Sequence, residues 1–271
     1  IRSLYVHFPF CEAKCHYCDF YSLGRERTRD TDAGDFEAAL RREHPKLSNA
    51  DLSRRALPKL SPEIAELFPD SFEDSTLGPI PNGWKATTVG EDFSLTMGQS
   101  PPGSTYNEIG EGLPFYQGKT DFQTRFPDRR IYCTAPTRYA KRLDTLVSVR
   151  APVGAINMAR EDCAIGRGIA AIRHNSGSSS YTYYAMEQQA EAFQRFEAEG
   201  TVFGSINKSN FENLSHVAPA VSVVNAFDAL VAKSDEMMHK VTLESESLES
   251  ARNKLLPRLL SGELSVTAEG A

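Results

Sequence analysis

The chain has 271 residues, enough to bury a substantial hydrophobic core in one large domain or two smaller ones. Its net charge of −6 excludes a generally basic protein that coats nucleic acid, and its five cysteines are too few and too unevenly placed for a disulfide framework. No apolar run approaches the roughly 20 residues of a membrane span, so the sequence predicts a soluble, cytoplasmic protein with no membrane partner.

The first segment of the chain carries a compact cysteine motif. Cys11, Cys15 and Cys18 have the spacing that ligates three irons of a 4Fe–4S cluster and leaves the fourth iron for a substrate. Residues 1–42, with HFPFC followed by YCDF, closely resemble the start of radical S-adenosylmethionine enzymes of the oxygen-independent coproporphyrinogen oxidase type. That resemblance implies a 4Fe–4S cluster and S-adenosylmethionine as cofactors.

The resemblance to the radical enzymes stops near residue 42. Those enzymes need a complete barrel and a glycine-rich stretch that holds the amino end of the cofactor, and this sequence contains no Gly-Gly pair. Two interpretations stay open. The segment is a truncated or fused remnant, or it still binds a cluster, in which case the alternative function is a radical S-adenosylmethionine iron–sulfur enzyme.

Residues 43–83 are predicted to form a connector. Pro58 and Pro62 break its helical segments, and an acidic, turn-rich stretch then leads to Trp84, the only tryptophan. A lone tryptophan after Pro-Asn-Gly favours a core anchor at the start of a domain over a side chain that stacks on a ligand. We therefore predict a globular domain over residues 84–218.

Apolar runs of strand length predict the sheet of this domain. They cover residues 89–95, 143–149 and 163–172, and Pro152, Gly154 and Asn157 mark turns between the last two. Residues 166–171 mimic the dinucleotide-binding pattern GxGxxA, but that pattern needs a helix after its second glycine. The chain reaches HNSGSSS within a few residues instead, so the sequence excludes a nucleotide-binding helix there.

Positive charge is concentrated in the middle of the chain. Residues 119–173 hold eleven lysines and arginines against five acids, a net +6, which leaves −12 elsewhere because the total is −6. A basic face on an acidic protein is typical of a site-specific nucleic-acid binder, and scattered solvated charges are the alternative.

Cations can hold phosphates, while amides, cations and aromatic rings can contact bases. On that basis the predicted DNA contacts are Tyr116, Gln117, Lys119, Phe122, Arg125, Arg129, Arg130, Arg138, Lys141, Arg142 and Arg173. For Arg150 and Arg167 the sequence leaves a structural role and a DNA contact equally open.

Two helices are predicted after the sheet, an amphipathic one over residues 181–200 and a long one over 225–256. The long helix would span about 45 Å at 1.5 Å per residue, and Pro257 is expected to end or kink it. Its apolar residues repeat near every 3.5 positions and predict a seam for a partner helix, with folding back on its own domain as the alternative. The predicted seam residues are Phe227, Val231, Met238, Val241, Leu248 and Leu255.

Several phrases in residues 52–264 resemble one half of a type I restriction-modification specificity (S) subunit. They are LGPIPNGW, GQSPPGSTYNEIGEGLPFYQGKTDF, LVSVRAP, AIGRGIAAIR, EGTVFGSINKSNF and LLPRLLSGEL, and they occur in the family's order. The resemblance implies an α+β fold, with a mixed-sheet target recognition domain at residues 84–218 and a long coiled-coil-forming spacer helix at 219–271. The family has two such domains and two helices that pack antiparallel.

The same resemblance implies a non-catalytic role in a restriction-modification complex. The target recognition domain would read a half-site of double-stranded DNA without a cofactor of its own. Methyltransferase (M) subunits and restriction/translocase (R) subunits would dock on the assembly. Because this chain shows one domain and one helix, a homodimer formed through the helix is a further expected partner.

Overall fold

The computed structural model describes residues 61–198 and 204–264. The cysteine motif at Cys11, Cys15 and Cys18 and the predicted connector up to residue 60 lie outside the described residues. The described residues divide into two compact units, the first ending at Ala229 and the second beginning at Leu230.

A short helix and a β-hairpin precede Trp84. The helix is α1 (Pro62–Ala65), and the hairpin pairs β1 (Phe72–Ser75) with β2 (Gly78–Pro81) in antiparallel register. Gly78 has a φ of 93° in the connecting turn, a backbone conformation that favours glycine. Part of the segment predicted as a connector is therefore folded.

A four-stranded antiparallel sheet lies at the centre of the first unit. Its strand order is β10-β9-β12-β4, with β4 at Phe93–Met97, β9 at Thr145–Ser148, β10 at Ile156–Met158 and β12 at Ile169–His174. Alternate side chains of β9 belong to different apolar clusters: Leu146 packs with Ile165 and Ile169, whereas Val147 packs with Phe93 and others. Both faces of the two central strands are therefore covered: all four residues of β9 and the first four of β12 are buried, whereas apolar and polar residues alternate along β4.

A second, five-stranded sheet adjoins the cluster that contains Leu146. Its order is β5-β7-β6-β11-β8, with β5 at Tyr106–Asn107, β6 at Leu113–Tyr116, β7 at Tyr132–Cys133, β8 at Tyr139–Ala140 and β11 at Cys163–Ile165. Strand β11 runs parallel to β6 and antiparallel to β8, so the sheet is mixed. A separate antiparallel pair joins β3 (Lys85–Thr88) to β13 (Ser215–Ala218). The predicted α+β fold with a mixed sheet is confirmed.

Helices cover the cluster that contains Val147, on the other face of the four-stranded sheet. They are α2 (Val89–Asp92), α3 (Ser179–Glu187), α4 (Ala190–Ala198) and α5 (Lys208–Glu212), and α6 (Val221–Leu260) follows β13. Met186, Phe193 and Phe211 place α3, α4 and α5 against the sheet. The side chain of Asn207 accepts a hydrogen bond from the Asn210 amide and caps α5.

The strand predicted over residues 89–95 is wrong in its first half. Val89–Asp92 form a helical turn, because the Val89 amide donates to the Leu214 carbonyl at 2.9 Å and this contact is remote in sequence. The run predicted over residues 163–172 is two strands, separated by the turn at residues 166–168.

Both predicted helices differ from the structure in their bounds. The helix predicted over residues 181–200 is interrupted between α3 and α4. There the Gln189 backbone amide donates to the carbonyl of Met186, only three residues earlier, and the buried Gln189 side chain donates to the Ser215 carbonyl. The long helix begins at Val221 and continues three residues past Pro257. Pro257 lacks one backbone hydrogen-bond donor but does not end this helix, contrary to one of the two expectations from the sequence. No helix among the described residues has the length and apolar character needed to cross a membrane.

A carboxylate–imidazole cluster joins the end of α2 to β12 and β13, and both of its imidazoles are buried. Oδ2 of Asp92 lies 3.3 Å from Nε2 of His174 and 3.1 Å from Nε2 of His216. The Phe93 ring packs edge-on against both imidazoles, with centroids at 5.0 Å and 5.2 Å. Burial lowers the pKa of His216, although Asp92 acts in the opposite direction.

The lowered pKa of His216 predicts that the protein loses stability in mild acid. As the pH is lowered through about 6.5, the unfolded chain takes up a proton at this position while the folded chain still resists it. The free energy of unfolding therefore decreases as the pH decreases. We expect urea unfolding at pH 7.5 and 5.5 to show this loss and His216→Gln to reduce the difference. An unchanged pH dependence in the variant would contradict the assignment.

Candidate nucleic-acid interface

A groove of about 500 Å³ opens to solvent where three loops of the first unit meet. The loops follow β6 at residues 117–120, follow β9 at residues 150–152, and join β11 to β12 at residues 167–168. Each loop contributes one cation to the lining, namely Lys119, Arg150 and Arg167.

Backbone contacts hold the three loops against one another. The Gly166 amide donates to the Tyr116 carbonyl at 2.8 Å, and the Val149 amide donates to the Gly168 carbonyl at 2.9 Å. A Cβ at Gly168 would lie 2.2 Å from the Gln117 carbonyl oxygen, so only glycine fits there. The floor of the groove is therefore a fixed part of the domain that contains the four-stranded and five-stranded sheets.

The side chains of Lys119, Arg150 and Arg167 are exposed. Among the residues that the structure describes, none of these three side chains takes part in an ion pair or hydrogen bond. Positive charge without a neutralising carboxylate makes the groove attractive to an anionic ligand.

Two of the eleven predicted DNA contacts, Gln117 and Lys119, line this groove. Tyr116 is 1% exposed in the cluster between the sheets, where burial raises the pKa of its phenol, and Phe122 packs partly buried against that cluster. Arg125 is 7% exposed, and its guanidinium carbon lies 3.5 Å from the centre of the Tyr183 ring. The structure thus places Tyr116 and Arg125 in the core rather than on a binding surface.

Four further predicted contacts are engaged in ion pairs. The pairs are Arg129–Glu161 at 2.5 Å, Arg130–Asp121 at 3.5 Å, Lys141–Asp162 at 2.8 Å and Arg173–Asp144 at 2.5 Å. The hydrogen bond between Lys141 and Asp162 raises the pKa of the lysine and lowers that of the carboxyl. Arg138 and Arg142 are exposed but do not line the groove.

The sequence left open whether Arg150 and Arg167 are structural or contact DNA. In the structure each arginine directly follows a buried stretch and projects at the rim of the same groove. An arginine that ends a buried apolar run beside a glycine or proline turn was the signal available in the sequence.

The predicted helix seam divides between the two units. Phe227 belongs to the first unit, where its ring lies edge-on to Tyr181 and Tyr184 with centroids 6.2 Å and 5.7 Å away. Within the second unit, the exposed fractions are 36% for Met238, 52% for Val241, 65% for Leu248 and 45% for Leu255, and Val231 is half-buried.

Metal chemistry has no candidate site in the part of the chain that the structure describes. No group of three or more His, Cys, Asp or Glu side chains there could hold a metal ion. Cys133 and Cys163 are buried free thiols, and burial raises the pKa of the Cys163 thiol.

Two curated relatives match most of this chain. The putative type I restriction enzyme MjaX specificity subunit of Methanocaldococcus jannaschii is 34% identical over 200 residues, which cover 72% of this chain and 47% of the relative. The type I restriction enzyme HindI specificity subunit of Haemophilus influenzae is 22% identical over 203 residues, 68% of this chain and 42% of the relative. The chain therefore spans about half the length of these relatives. No protein-family model matches it.

Solved structures agree with these relatives. A structure described as showing complex assembly and conformational transition of the type I R-M system shares 32% identity, with a TM-score of 0.50 over 82% of this chain and 52% of the other. The HsdS subunit of Thermoanaerobacter tengcongensis shares 28% identity, with a TM-score of 0.51 over 86% of this chain and 57% of the other.

A type I restriction-modification S subunit from M. genitalium is similar in fold alone, at 16% identity and a TM-score of 0.52 over 66% of this chain and 46% of the other. None of these relatives and structures is described as a radical S-adenosylmethionine enzyme, so they give that alternative no support.

Proposed function

The chain belongs to the family of type I restriction enzyme specificity subunits, and we propose that the domain with the four-stranded and five-stranded sheets reads a half-site of double-stranded DNA. The observation that carries DNA binding is the groove with three exposed cations, for which the described residues supply no neutralising carboxylate. In this role the chain is the recognition component of a restriction-modification complex, and other subunits catalyse its reactions. The domain needs no cofactor for reading DNA.

The partners in this proposal are methyltransferase (M) and restriction/translocase (R) subunits. The relatives are named as specificity subunits of restriction enzymes, and one similar structure is described as the assembly of a type I R-M system. A recognition component that matches about half of such a relative would supply one half-site reader to the complex.

The test of DNA recognition is selection from a pool of random duplexes, with this chain alone and with its cognate methyltransferase subunit. We expect enrichment of one short motif and an affinity that falls steeply as salt rises, because phosphate contacts release counterions. Absence of enrichment under both conditions would refute the specificity role. Iron analysis of the purified chain would then be the next measurement, directed at Cys11, Cys15 and Cys18.

We also propose that two copies pair along the second unit through Met238, Val241, Leu248 and Leu255. These side chains are exposed in the single chain and follow the spacing of a helix seam, and their burial against a second copy would remove apolar surface from water. A homodimer would bring together two half-site readers for a split, palindromic site.

Sedimentation at micromolar concentration tests the homodimer. We expect the unmodified chain to sediment as a concentration-dependent dimer and Leu248→Glu to sediment as a monomer, because a carboxylate would be buried in the seam. Ser250→Glu, at an exposed position off the predicted seam, is the matched control and should remain dimeric. An unmodified chain that stays monomeric would contradict pairing through this helix.

A further inference from the structure

The cations of the basic segment differ in whether the fold balances their charge and in where they lie. Four of the predicted DNA contacts are held by carboxylates, so their charges are already balanced within the fold. Lys119, Arg150 and Arg167 have no such partner among the described residues and line one groove, whereas the exposed Arg138 and Arg142 lie outside its lining. Asp121 lies only two residues from Lys119, but it is buried, accepts from the Gln117 amide and pairs with Arg130.

The three cations that line the groove are held by a preorganised backbone. Arg150 follows β9, and the adjoining Ala151 amide donates to the Gly204 carbonyl at 3.0 Å. The Arg167 amide donates to the Ser100 hydroxyl at 3.2 Å, and the neighbouring Gly168 packs on the Gln117 carbonyl. A ligand would meet charges on a fixed backbone and would not have to order three separate loops.

The chemistry of the lining selects one class of anion. Guanidinium groups bind phosphate oxygens through paired hydrogen bonds, and a lysine adds a point charge. None of the described residues that line the groove is aromatic, so a base of a free nucleotide or of a single strand would find no ring on which to stack. The groove is open and, at about 500 Å³, larger than one phosphate group, which suits a polymer that passes through it.

We propose that Lys119, Arg150 and Arg167 together form a seat for the sugar–phosphate backbone of duplex DNA. The inference rests on the proposed function and deepens it, because it assigns phosphate binding to two arginines for which the sequence left the role open. The seat fixes the register of the domain on the duplex, and sequence is read by other side chains. Its loss would therefore weaken binding to every sequence alike.

The test compares Lys119→Gln, Arg150→Gln and Arg167→Gln with the unmodified chain on the selected duplex and on random duplex. For each variant we expect affinity for both duplexes to fall by the same factor, about 10-fold at low salt. The dependence of log affinity on log salt should become shallower by about 0.9 for each phosphate contact removed. Arg150→Lys keeps the charge and should keep most of that slope.

Arg195→Gln is the matched control, because Arg195 on α4 is exposed and does not line the groove. All variants should unfold at the temperature of the unmodified chain, since the substituted side chains are exposed. Variants that retain full affinity and slope would overturn the seat and leave the proposed function standing. If the unmodified chain binds no duplex, the proposed function fails as well. Binding of inorganic phosphate or a mononucleotide by the same three residues, without duplex binding, would assign the groove to a small anion instead.

Discussion

Phe211→Ala is expected to lower the free energy of unfolding by about 3–5 kcal/mol, because it removes a large side chain from the centre of the helix-covered cluster. Phe211 is 0% exposed, and its ring lies edge-on to Phe193 with centroids 5.2 Å apart. Truncation leaves a cavity between α4, α5 and the four-stranded sheet, whose backbone is fixed by its own hydrogen bonds. Since globular domains are stable by only about 5–15 kcal/mol, the variant should be close to unfolding.

Urea unfolding followed by circular dichroism measures this effect. Ile109→Ala is the control, because Ile109 is 78% exposed and its truncation should change the free energy of unfolding by no more than about 0.5 kcal/mol. Equal effects from the two substitutions would mean that Phe211 does not anchor the core in solution.

Gly168→Ala is expected to disturb both stability and DNA binding. The added Cβ would lie 2.2 Å from the Gln117 carbonyl oxygen, so the turn between β11 and β12 must move away from the loop after β6. Overpacking of this kind costs about 1–3 kcal/mol of folding stability. It also separates Arg167 from Lys119, so affinity for duplex DNA should fall although no charge is removed.

Gly118→Ala is the matched control for that substitution. Gly118 lines the same groove, but a Cβ there would meet no atom within 4 Å, and its φ of −179° is extended backbone that alanine adopts. Thermal unfolding and duplex titration of both variants should show a loss for Gly168→Ala alone. If both variants behaved like the unmodified chain, the groove floor would not be rigid.

In the basic segment, the number of charges alone did not predict which cations are available to a ligand. Residues 119–173 carry a net +6, and on that basis eight of their eleven cations were predicted to contact DNA. The fold balances four of the predicted contacts with Glu161, Asp121, Asp162 and Asp144, and it buries Arg125 under Tyr183. Partners that lie 9 to 32 residues away along the chain cannot be assigned from composition.

Local pattern did predict the elements whose environment is simple. The 3.5-residue apolar spacing indicated the long helix, which the structure extends to Val221–Leu260, and the apolar runs indicated β9, β11 and β12. Pattern failed at Val89–Asp92 and at Gln189, where bonds to Leu214 and Ser215 decide the backbone. Such bonds depend on β13, which is distant along the chain.

By itself the sequence determined the class of fold and the family, which follow from ordered phrases along the chain, and the presence of a long helix with an apolar seam, which follows from periodicity. Only the tertiary structure decided which cations line the groove together. Lys119, Arg150 and Arg167 come from three separate loops, and they meet because Gly168 allows one loop to lie against another. Convergence of this kind is a property of packing, which sequence spacing does not record.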